Sequence, residues 1–223
     1  MKQTTLDVST TDIPDDLFTD PFPEQSVENL QTWVENRIND ETIPIADDEL
    51  AHTIEGKSAF SPDAKFLLGV LYEYGIGVAR SSEKAEEHIL ISASRGCADA
   101  RFHLAVCYET GAFGKVNYFK AAKWFSKAAD GGIEEAYLFY GKNCLRLYEE
   151  TKLDYFSEEA LDALWAVAYD MPEANAELAR CYMRGIGTKV SLDVAETMID
   201  YLECEGYDVT ELKTEYSQLG EQT

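Results

Sequence analysis

The chain has 223 residues, 45% of them apolar and 12% aromatic, enough to bury a core and too much for a disordered polymer. Forty-two acidic against 19 basic residues leave a net charge of −23, a field that repels phosphate backbones and anionic headgroups and draws in cationic proteins. Nucleic acid and membrane are thereby excluded as expected partners, and no run approaches the ~20 apolar residues needed to span a bilayer.

Residues 1–60 hold three basic and fourteen acidic residues, a net of −11. Residues 1–23, broken by Pro14, Pro21 and Pro23, read as an acidic, disordered tail with no leader pattern, so a cytoplasmic location is expected. In residues 24–40, Val27, Leu30, Val34 and Ile38, with Trp33 beside them, make one helical stripe, and residues 47–55 read as a shorter second helix. Over 24–61 the two are expected to cap the open end of a helical array.

From residue 62 the chain repeats. Ala64, Leu68, Gly69 and Tyr72, followed by Gly75-Ile76-Gly77, return 36 residues later as Ala100, Leu104, Ala105 and Tyr108, followed by Gly111 and Gly114. A weaker copy has Ala136, Tyr140, Gly141 and Cys144 without the glycine turn, which residues 145–154 replace. The last copy has Ala174, Leu178, Ala179 and Tyr182, followed by Gly185-Ile186-Gly187. Each is followed by a second helical pattern: Lys84, Ala85, Ile89 and Ala93; Lys120, Ala121, Trp124, Phe125, Ala128 and Ala129; Ala160, Leu164 and Ala168; Ala195, Ile199 and Leu202. The predicted unit is helix, turn, helix, with boundaries 62–97, 98–133, 134–172 and 173–206. Val209, Leu212, Tyr216 and Leu219 then mark a polar-backed capping helix and tail within 207–223.

These residues resemble the Sel-one-like repeat family, a relative of the tetratricopeptide repeats, whose unit reads AxxxLGxxYxxGxG, a loop, then KAxxWYxKAAxxG. The third copy departs where Cys144 stands for the tyrosine. The resemblance implies an all-α fold, a right-handed α-α superhelix of four helix-turn-helix repeats with helical caps, acting as a non-enzymatic scaffold that binds protein on its concave side. By analogy with tetratricopeptide repeats, the groove positions are Phe66, Val70, Glu73 and Tyr74; Phe102, Val106 and Glu109; Lys142, Leu145 and Arg146; and Arg180, Met183 and Arg184.

No enzyme chemistry is expected. His88, Cys97, His103 and Cys107 lack the paired short spacings of zinc modules, and Cys107 and Cys181 share the repeat position of Leu71, a core position. Five cysteines without close pairing fit free thiols in a reducing compartment. Tyr74-Gly75-Ile76-Gly77-Val78 follows a helix rather than a strand and lacks a third glycine, so it is no phosphate loop. No metal or cofactor is expected. The expected partner is a protein with a basic surface, in the sharpest version a bacterial toxin neutralised by an immunity protein; the alternative is an acidic mimic of nucleic acid that inhibits a DNA-binding protein.

Overall fold

The structure is a computed structural model that describes residues 48–220. The expected acidic tail and the stripe in residues 24–40 lie outside the described residues. Ten α-helices and no strands are found among them: α1 Asp48–Ser58, α2 Pro62–Tyr74, α3 Ser82–Ser94, α4 Ala98–Thr110, α5 Tyr118–Asp130, α6 Glu135–Thr151, α7 Asp154–Val167, α8 Pro172–Arg184, α9 Leu192–Cys204 and α10 Thr210–Gly220. The chain divides into two compact units after Leu104.

In the first unit, α1, α2 and α3 pack in sequence order. Ser61 caps α2 by accepting from the Ala64 N–H at 3.2 Å, Pro62 opens its first turn where no N–H is missed, and Gly75 ends it in the left-handed region at φ 75. That conformation lets the Gly75 N–H bond the Leu71 carbonyl at 2.8 Å, and a side chain there would suffer a Cβ clash. Close packing of α2 on α3 depends on Gly69: a Cβ would lie 2.5 Å from Ile89 Cγ1 and 3.2 Å from the Ala85 carbonyl oxygen. Ser92 Oγ donates to the Pro62 carbonyl at 2.6 Å, pinning the end of α3 to the start of α2.

The second unit holds the rest of α4 and α5 to α10. Its larger core gathers Leu164, Ala174, Leu178, Met183, Ala195, Ile199 and Leu202, with Val209 and Leu212 joining from the last helix and the turn before it. Tyr216 and Leu219 pack on it half-buried.

The repeat residues take the same work in every copy. Ala64, Ala100, Ala136 and Ala174 in first helices, and Ala85, Ala121, Ala160 and Ala195 in second helices, are wholly buried. The backbone carbonyls of Tyr72, Tyr108 and Tyr182 accept from the N–H nine residues on, at Ser81, Asn117 and Ser191, with bonds of 2.9, 2.8 and 3.0 Å that close each turn alike. The ammonium groups of Lys84 and Lys120 sit 4.8 and 4.5 Å over the rings of Tyr72 and Tyr108.

The third hairpin differs. Residues 145–154, expected to replace the glycine turn, are mostly helix: with no glycine to stop it, α6 runs on to Thr151 and turns at Lys152, which takes φ 56 without being glycine. Thr151 Oγ1 accepts from the Leu153 N–H at 3.3 Å where the other repeats use the tyrosine carbonyl.

Candidate protein-binding surface

The nominated groove residues lie on the first helices of the hairpins, and the helix period puts the positions of each copy near one face. In the first unit, Phe66 and Val70 are buried rather than presented, the ring of Phe66 meeting His103 edge-on with centroids 5.5 Å apart. Glu73 is bound by His103 Nε2 at 2.7 Å. Phe102 is half-buried, and Tyr74 is the exposed aromatic of the set.

In the second unit Val106 is half-buried and Met183 buried. Five nominated residues, Lys142, Leu145, Arg146, Arg180 and Arg184, come together with Glu149 and Glu177 around an open cleft of about 320 Å³ borne on α6, α8 and the turn after α8. Cys181 lies at its floor, its thiol pushed up to about 12 by burial and by Glu177, so it offers no nucleophile.

The cations of this cleft are already engaged. Glu109 accepts from Arg146 at 2.5 Å and from Asn143 Nδ2 at 3.1 Å; Lys142 bonds Glu173 at 2.8 Å; Arg184 bonds Glu215 at 2.7 Å. Arg180 reaches Glu215 at 2.9 Å, Glu177 at 3.1 Å and Glu211 at 3.4 Å. Burial lowers the Arg180 pKa, but these glutamates outweigh it and hold the guanidinium above its ordinary value. Most of these partners lie 31 to 37 residues apart, so the pairs tie each first helix to the next. Four cations face six carboxylates, counting Glu149, which forms no ion pair among the described residues: a local net of −2.

Two of the residues considered as metal ligands, His88 and Cys97, have other work. His88 stacks on Tyr72 at 5.3 Å, with burial and then Lys65 holding its pKa below the ordinary value, and the Cys97 sulfur accepts from the Ala100 N–H at 3.4 Å, its thiol pushed up to about 11 by burial.

A second surface in this unit escaped the sequence reading. Trp165 on α7, Asn175 on α8, and Val194, Thr197, Met198 and Tyr201 on α9 line a groove of about 390 Å³. The signal was present: Trp165 and Tyr201 sit off the stripes of Ala160 and Leu164, and of Ala195, Ile199 and Leu202, that face the core.

Stacked helical hairpins with an open first-helix cleft define a repeat protein of the all-α class. Residues 62–97, 98–133 and 172–196 match the Sel1 repeat; residues 134–171, where the glycine turn is missing, fall outside the match. DAP3-binding cell death enhancer 1 of Mus musculus is 34% identical over 74 residues, 33% of this chain and 14% of that protein, and its Rattus norvegicus counterpart 35% identical over 74 residues with the same coverage. The chain therefore matches only a small part of those relatives. A crystal structure of a Sel1 repeat protein from Oxalobacter formigenes aligns with a TM-score of 0.57 at 21% identity, covering 82% of this chain and 73% of that one, which shows the fold, an all-α repeat solenoid. No helix among the described residues is long and apolar enough to cross a membrane.

Proposed function

We propose that this chain is a non-enzymatic scaffold that holds a protein partner with a basic surface on the first helices of its hairpins. The observation that carries the reading is the cleft on α6 and α8: its cations are matched by glutamates, so what it offers a newcomer is the surplus carboxylate of Glu149 beside the half-buried Leu145. The net charge of −23 would speed the encounter with a cationic partner. An immunity protein that covers the active face of a basic bacterial toxin is the sharper form of this reading, and the five free thiols suit a cytoplasmic setting. One observation favours the alternative, an acidic mimic of nucleic acid: α7 and α9 carry eight carboxylates and no lysine or arginine. An apolar groove between them is unlike a phosphate row, and the scaffold reading is preferred.

The test is affinity capture on the full chain at about 50 and about 300 mM salt, which runs from weak to strong screening of the encounter. A basic protein held at low salt, weakened at high salt and lost on Glu149→Lys with Leu145→Ala supports the reading. Capture indifferent to that double substitution removes the first-helix cleft from it.

A further inference from the structure

The groove of Trp165, Val194, Thr197, Met198 and Tyr201 lies on second helices, whereas the cleft of Glu149 and Leu145 lies on first helices. Its rim is aromatic and solvent-facing, with Trp165 48% and Tyr201 44% exposed, while Met198 is buried at its floor. Trp and Tyr are the side chains that most often carry binding energy at protein interfaces, because they bury a large apolar area at little entropic cost.

The charge around this groove is of one sign. α7 carries Asp154, Glu158, Glu159 and Asp162, and α9 carries Asp193, Glu196, Asp200 and Glu203, with no lysine or arginine on either helix. Of these, Glu159 accepts from Tyr140 and Glu203 is bound by Lys213; Glu158, Asp162, Asp193 and Asp200 are exposed and form no ion pair among the described residues. Asp162 precedes Trp165 by three residues and Asp193 precedes Thr197 by four, spacings that make them surface neighbours of the groove. The pattern is not general to second helices, since α5 has Lys120, Lys123 and Lys127.

We propose that this groove is a docking site for the apolar face of a basic amphipathic helix belonging to a protein partner. Apolar anchors of such a helix fill the space between Trp165 and Tyr201, and lysines or arginines on its flanks meet the carboxylates of α7 and α9. The same charges argue against other occupants. A second copy related by a twofold axis would set acidic rim against acidic rim. The amphipathic stretch of this chain's own residues 24–40 has four acidic residues and one arginine, a net of −3, and is repelled likewise. This inference shares with the proposed function the premise that the chain binds a basic protein partner, and its site is separately testable.

The experiment uses the full chain and three fluorescently labelled synthetic peptides of about 18 residues, long enough for five helical turns. One has leucines at helical spacing with lysines on the other face, one has glutamates for the lysines, and one has the first composition scrambled. The Leu/Lys helix is expected to bind at least about tenfold more tightly than either comparator, the scale on which aromatic anchors and charge matching act. The Trp165→Ala, Tyr201→Ala variant, whose exposed side chains leave the core intact, is expected to lose at least about tenfold in affinity, and Asp162→Asn with Asp193→Asn and Asp200→Asn to flatten the salt dependence. Glu149→Lys in the first-helix cleft is expected to leave peptide affinity unchanged, so failure of that cleft and failure of this groove give different results. The proposal is overturned if the double aromatic variant binds the peptide as wild type does, if the Glu peptide binds equally, or if sedimentation shows a dimer that the aromatic variant dissolves.

Discussion

Replacing Gly69 and Gly56 each by alanine is the same chemical change in two helices of the same unit, and the structure assigns the two opposite signs. In α1, a Cβ on Gly56 meets nothing within 4 Å, so the substitution only removes the backbone freedom of glycine and stabilises by about 0.5–1 kcal/mol. In α2, a Cβ on Gly69 comes to 2.5 Å from Ile89 Cγ1, 3.1 Å from the Ile89 nitrogen and 3.2 Å from the Ala85 oxygen. Ile89 is wholly buried, and the other two atoms are backbone, so relief requires α2 and α3 to part. Overpacking of this kind costs about 1–3 kcal/mol, which exceeds the propensity gain and leaves Gly69→Ala destabilised by up to about 2 kcal/mol. For a chain of this size 1 kcal/mol moves the midpoint by about 2–4 °C, so the two variants should melt roughly 5 °C or more apart on either side of wild type. Thermal unfolding followed by far-UV circular dichroism reads this directly. Equal upward shifts for both variants would refute close approach of α2 and α3 as the reason for glycine at 69.

Other expectations rest on the same structure. Lys152 holds a left-handed conformation without being glycine, its ammonium 5.3 Å over the Tyr148 ring; Lys152→Gly should raise stability by about 0.5 kcal/mol once the lost cation–π contact is set against the relieved strain, and a lowered urea midpoint would contradict it. Arg180→Ala leaves the half-buried Glu177 without its guanidinium and Glu215 with Arg184 alone and should cost about 1–3 kcal/mol, whereas Lys142→Ala, facing the 70% exposed Glu173, should cost less than about 1 kcal/mol; similar losses in denaturant titration would count against the ranking. Of the five thiols, only Cys204 is exposed, and Cys144 and Cys181 are pushed up to about 12 by burial, so a native aromatic-disulfide assay should titrate one thiol quickly and the others only in denaturant. Burial and Lys65 hold His88 below its ordinary 6.5, so the unfolded chain takes up its proton first: this contribution to stability is complete above pH 6.5 and is lost as pH falls from there toward the native pKa. His88→Phe, which keeps the stack on Tyr72, should show a smaller loss of melting temperature than wild type between neutral and mildly acidic pH; parallel curves would remove His88 as the cause.

The local pattern was legible because each of its elements acts within one hairpin. A 36-residue recurrence of small residue, leucine and tyrosine, followed by glycine, specifies a helix with a buried stripe, a left-handed stop and a return helix, and Gly75, Gly111 and Gly185 take φ of 75, 78 and 69 as that chemistry requires. Sequence also marked the third copy as irregular, but what fills the gap depended on how far an unstopped helix can run before Asp154 must begin the next, and α6 proved to be 17 residues long against 13 in the glycine-stopped α2 and α8. The groove positions were less legible. An analogy of spacing places a residue on a face, yet whether that face is covered is settled by the neighbouring helix, which is why Phe66, Val70 and Met183 are core.

By itself, then, the sequence determined the hairpins, their turns and the alanine and leucine stripes that stack them, because these rest on contacts within a few helical turns. Only the tertiary structure decided which charges remain available. Glu109, Lys142, Arg180 and Arg184 find their partners 31 to 37 residues away, and the surface of Trp165 and Tyr201 exists only where residues of α7, α8 and α9 line one groove, at separations along the chain that no helical period encodes.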